Sequence, residues 1–139
     1  MASSQMKRQV PRGIRNNNPL NIRIGNTWLG ERQNPTDPAF EEFVSMAYGY
    51  RAAFCILRRY IRRYHKDTIA QIISTWAPST ENNTQRYIDC VSAAMKLAPD
   101  VPIKYEDEET MTQLVAAMQI MECGVPANLA AVKRGYQMA

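Results

Sequence analysis

The chain has 139 residues, 45% of them apolar and 22% charged, and carries a formal net charge of +4. That balance fits one soluble globular domain large enough to bury a core, and the positive charge favours polyanionic partners, whether nucleic acid, anionic lipid or cell-wall polymer. Three cysteines far apart in sequence (Cys55, Cys90, Cys123) and one histidine (His65) argue against a disulfide framework, a zinc site and a histidine-based triad.

Residues 1–11 read as a flexible polar tail and residues 12–139 as a single domain. The tail has no apolar segment of the secretory kind, and no apolar run approaches the length of a membrane span. Neither a signal peptide nor membrane insertion is expected. The stretch RGIRNNNPLNIR, residues 12–23, gathers Asn16, Asn17, Asn18 and Asn21 around Pro19. Asparagine amides compete with the backbone for hydrogen bonds, so such a run marks a tight turn or a set of amides aimed at a ligand. Leu20, Ile22 and Ile24 then alternate with polar residues, Gly25-Asn26 signals a turn, and Phe40 and Phe43 flank two glutamates. This spacing predicts a small N-terminal β-hairpin or three-stranded sheet.

From Ser45 onward the pattern is helical, with about five helices expected in a mainly α chain. Tyr50, Ala53, Phe54, Leu57, Ile61 and Tyr64 follow helical spacing, while Arg51, Arg58, Arg59, Arg62 and Arg63 take the other face. Thr68 opens a second helix with Ile69, Ile72, Ile73 and Trp76 inward, stopped by Pro78. A third begins near Asn82 to Thr84 and carries Tyr87, Ile88, Val91 and Met95. Asp107 caps a fourth, with Met111, Leu114, Val115, Met118 and Met121 on one stripe and Gly124 at its end. A last short helix is expected from about Ala127 to Gln137.

The arginine face interleaves cations with Tyr60 and Tyr64, which is a solvated helix face or, with less support, a nucleic-acid surface. Nucleic acid is accordingly not the expected partner. A methionine stripe such as Met111, Met118 and Met121 is more often core filling than a binding groove. Glu122, in the last turn of the fourth helix, faces the negative end of the helix dipole beside apolar neighbours, and both effects raise a carboxyl pKa. A carboxylic acid kept protonated near neutral pH is what glycosidic cleavage needs. The other reading is an exposed glutamate without function. Glu81 is either a second carboxylate activating water or a first-turn helix glutamate. Trp28 is a sugar-stacking platform or a hairpin anchor, and Asp37, Glu41 and Glu42 are weaker candidates for a second acid.

The asparagine motif, Trp28-x-Gly30, Phe40 and Phe43, and WAPSTENNTQRYI at residues 76–88 together resemble a phage and prophage family whose members are labelled virion structural protein P5 or lysozyme-like. That family is in turn similar to lysozyme-like glucosaminidases and lytic transglycosylases. In those the acid-bearing helix precedes the asparagine segment, so the order here would correspond to a circular permutation of an α+β lysozyme-like fold. Glu122-Cys123-Gly124 resembles the Glu-Asn-Gly helix ending of family members. The resemblance implies cleavage of peptidoglycan glycan strands, with Glu122 and Glu81 as catalytic candidates. Asn18, Asn21, Arg23, Trp28 and Tyr87 would line the sugar cleft, with no metal or organic cofactor. It equally admits a non-catalytic virion protein that binds cell wall or assembles in the particle. Either product would be made in the bacterial cytoplasm and act at the wall or in the virion, with other phage virion proteins as possible partners.

Overall fold

The computed structural model describes residues 10–80 and 82–139. Among them are six helices: α1 (Arg12–Arg15), α2 (Met46–Arg62), α3 (Ile69–Trp76), α4 (Thr84–Met95), α5 (Glu108–Cys123) and α6 (Leu129–Met138). Four of the helix starts are capped by side chains that accept a main-chain N–H in the first turn: Thr68, Asn83, Asp107 and Asn128. Ser45 precedes α2 in an extended conformation, but its side chain makes no capping bond.

The expected N-terminal hairpin or three-stranded sheet is not there. Among the described residues no strand forms, and residues 10–44 hold only α1 and two isolated antiparallel bridges, Arg23 with Phe40 and Glu31 with Phe43. The reason is the Asn18 amide. It donates to the carbonyls of Ile22 (2.9 Å) and Glu41 (3.0 Å), and its oxygen accepts the Ile22 N–H (2.9 Å). The side chain thereby stands between the Ile22 N–H and the Glu41 carbonyl, which a ladder would join directly, although the Ile22 carbonyl still accepts the Glu41 N–H at 2.9 Å. Asn21, at φ 53, also turns the chain out of the extended region just where a strand would run. Alternating Leu20 and Ile22 are buried as a strand would bury them, yet Ile24 is exposed.

The helices pack around one apolar core in which Leu20 and Phe43, from the irregular segment, are as buried as Phe54, Ile72 and Leu114. Tyr64, placed inward by its spacing, lies beyond the end of α2 and is exposed. Helices α2 and α6 cross closely at Gly135, where a Cβ would come within 2.4 Å of the Tyr50 Cβ. Gly49 of α2 receives the Asn17 carbonyl, which an added Cβ would meet at 2.0 Å. Gly13 of α1 abuts the end of α5, with Cys123 Sγ 2.6 Å from where its Cβ would be. These approaches seat the asparagine turn between the start of α2 and the end of α5. No helix among the described residues is long and apolar enough to cross a membrane.

Candidate active site

Helix α5 brings Glu122 to that junction. The helix is anchored by Met111, Leu114, Val115 and Met118 and ends at Gly124, whose φ of 68 terminates it in the left-handed conformation. Three elements converge on the half-buried Glu122 carboxyl. From α4, the Tyr87 hydroxyl donates to Oε2 (3.0 Å). From the asparagine turn, Asn21 Nδ2 donates to Oε1 and to the Glu122 carbonyl, each at 3.2 Å. From the end of α3, Trp76 contributes its indole. Burial raises the carboxyl pKa above its ordinary value, while bonds from Asn21, Tyr87 and Trp76 pull the other way. Burial wins. Tyr87 stays a hydroxyl, because burial and then the adjacent Glu122 charge push its pKa up. The Cys123 thiol is pushed up to about 11, by burial first and then by Glu122, and donates to the Pro19 carbonyl at 3.2 Å. It is a tether and a poor nucleophile.

The four asparagines do different things. Asn16 donates to Asp37 (2.8 Å), Asn17 to the Phe43 carbonyl (3.1 Å), and Asn18 staples the loop. Only Asn21 reaches Glu122. Its left-handed φ of 53 points the amide away from the core that holds Leu20 and Ile22 on either side. The run is therefore mostly a turn and, at one position, a positioned amide.

Glu122 opens into a cleft of about 480 Å³ whose walls include Asn21, Arg23, Tyr60, Trp76 and Asn82. A second hollow of about 830 Å³ continues from it along α2. The two share Ile22, Arg23, Ile56 and Tyr60, so together they form one groove. Tyr60 stands edge-on to Trp76, ring centres 6.3 Å apart, on the floor between them.

Of the residues singled out from sequence, Glu122, Asn21 and Tyr87 meet at one point, and Arg23 lines both parts of the groove. Trp28 lines only the second part, and its buried indole N–H has no partner among the described residues. Asn18 is fully buried, with its amide bonded to main chain, so it faces no cleft. Glu81 lies outside the described residues. The weaker acid candidates are occupied elsewhere. Asp37 is gripped by Arg12 (2.5 and 2.6 Å) and Asn16, and Arg12 above all holds its carboxyl well below the usual range. Glu42 accepts the N–H groups of Thr36 and Asp37, each at 2.6 Å, and an Arg32 bond at 3.0 Å. Glu41 is pushed up to about 7 by burial and then by the neighbouring Glu31 carboxyl. Spacing places Trp76 in the core, yet it lines the cleft. Its place in the last turn of α3, before Ala77-Pro78, was the available signal. Helical spacing assigns Tyr60 to packing and the arginines of α2 to a solvated face, because it cannot show that the Trp28 loop folds up beside them. No group of three metal-ligating side chains occurs among the described residues.

No family model matches the chain. Over 134 residues, covering 93% of this chain and 82% of the other, it is 37% identical to Protein P5 of Pseudoalteromonas phage PM2. At that identity over nearly the whole length, the chain belongs to the Protein P5 family of phage proteins.

Proposed function

We propose that the protein cleaves the glycan strand of peptidoglycan, with Glu122 as the general acid. The observation that carries this reading is the Glu122 carboxyl: desolvated, raised in pKa, hydrogen-bonded by Tyr87 and Asn21, and set in the wall of a continuous groove. Protonated Glu122 gives its proton to the glycosidic oxygen as the bond to the anomeric carbon breaks. The resulting carboxylate is stabilised by Tyr87 and Asn21 and then takes a proton from the incoming hydroxyl. Among the described residues lining the cleft, Glu122 is the one carboxylic acid. Attack by the sugar's own C6 hydroxyl returns its proton to Glu122 and leaves an anhydro end. Attack by water, with a second carboxylate on the opposite face, gives a reducing end instead.

The test is digestion of isolated sacculi by the full chain, with soluble products weighed by mass spectrometry. Soluble fragments are expected from the native protein and none from Glu122→Gln, with melting behaviour preserved. Fragments one water lighter than hydrolysis products identify the anhydro route. Undiminished release by Glu122→Gln removes Glu122 from the chemistry. Because protonated Glu122 is the active form, activity falls as pH rises through its elevated pKa.

A second reading has one observation in its favour. Both Glu122 oxygens accept bonds from protein donors, so the carboxyl also ties α5 to α4 and to the asparagine turn. In a non-catalytic virion protein that tie would be its whole role, and the groove would bind wall polymer without cutting it. Sacculi that co-sediment the protein but release nothing select this reading.

A further inference from the structure

The second part of the groove is lined by Arg23, Arg58, Arg59, Arg62 and Arg63, and no carboxylate lines it among the described residues. Arg62 is paired with Glu106, and both Arg58 and Arg62 lie over the Tyr105 ring, 5.6 and 5.1 Å from its centre. Arg23, Arg59 and Arg63 have no carboxylate partner among the described residues. Arg59 and Arg63 are like-charge neighbours one turn apart at the C-terminal end of α2, an arrangement that is unfavourable when nothing neutralises it. Arg23 and Arg63 rest on aromatic rings, Phe40 at 5.0 Å and Tyr64 at 6.0 Å, which holds the guanidinium planes in place.

This is a concave, arginine-rich surface, and it is continuous with the Glu122 cleft through Arg23 and Tyr60. We infer that this arm of the groove is a subsite for carboxylates borne on short acyl-peptide side chains of the strand whose backbone lies in the Glu122 cleft. Guanidinium forks bond carboxylates through two parallel N–H groups, which suits several separate acids spaced along such side chains. The inference rests on reading the cleft as a glycan site, and it narrows the substrate to strands that carry peptides, as against neutral amino-sugar polymers.

The experiment uses the full chain carrying Glu122→Gln, so that binding is read without cutting. Its affinity is measured for soluble glycan strands with peptides and for the same strands after an amidase has removed them. Peptide-bearing strands should bind roughly tenfold or more tightly, and the preference should shrink as salt rises. Adding Arg59→Gln and Arg63→Gln should bring the ratio close to one, with an unchanged melting curve confirming the fold. Equal affinity of the parent for both strands overturns the arm but leaves the cleft reading intact. So does a preference that survives loss of both arginines. Failure to bind either strand overturns both. Tighter binding to a DNA duplex than to either strand replaces the carboxylate subsite with a general polyanion surface.

Discussion

Residues 12–44 and residues 46–138 are held together by different physics. The second region is helical and follows from its apolar stripes: Ile69, Ile72 and Ile73 in α3, Met111, Leu114, Val115 and Met118 in α5, all fully buried. The first region has almost no regular structure and contributes only a few large core residues, chiefly Leu20 and Phe43. It is fixed by side chains bonding main chain, with Asn16, Asn18, Asp37 and Glu42 all buried and all hydrogen-bonded. The lesson is where precision comes from. Helical packing delivers Glu122 to a place, and a polar lattice aims Asn21 at it.

The contrast breaks most sharply at Asn18. Asn18→Ala leaves Ile22 N–H, Ile22 C=O and Glu41 C=O without the amide, and should cost about 3 kcal/mol in denaturant unfolding. A methylene removed from the helical core by Ile72→Val should cost about 1 kcal/mol. If Asn18→Ala is the milder of the two, the polar lattice is not what holds the first region.

Asp37 sharpens the comparison through pH. Its folded pKa is depressed, chiefly by Arg12, so its contribution is present above the unfolded value of 3.8 and is lost as pH falls below it. Asp37→Asn should lower the melting temperature by several degrees near neutrality and by much less in strong acid. A constant deficit across that range would mean the Arg12 pair contributes shape and not charge.

The smallest expected effect has the opposite sign. Glu41 binds its proton more tightly folded than unfolded, so stability falls as pH rises from about 4.5 to about 7. Glu41→Gln removes that loss, and should raise the melting temperature by a few degrees above about pH 8 while changing little in mild acid. An unchanged pH profile would show that the Glu31–Glu41 contact is relieved by water.

Sequence made the two regions unequally legible for the same reason that they differ. Apolar spacing and the capping residues Thr68, Asp107 and Gly124 mark helices through local rules, and they place Glu122 in a last turn. The alternation of Leu20, Ile22 and Ile24 obeys the local rule for a strand. What overrides it is an amide reaching from Asn18 to Glu41, a contact 23 positions apart that no local pattern encodes. Trp76 illustrates a subtler limit. Its spacing says inward, and inward at the end of a short helix turns out to be the wall of a cleft.

The bond from Asn21 to Glu122 spans 101 positions. A contact that long closes late, because loop closure must be met before the contact rewards it, and during synthesis it must wait until α5 has left the ribosome. A nascent chain therefore carries the asparagine turn and the arginine helix without a completed groove until Glu122 has been added. Fragments that stop short of residue 122 would be expected to retain basic charge but have no assembled site, so the Glu122–Asn21 junction arrives all at once, with the end of α5.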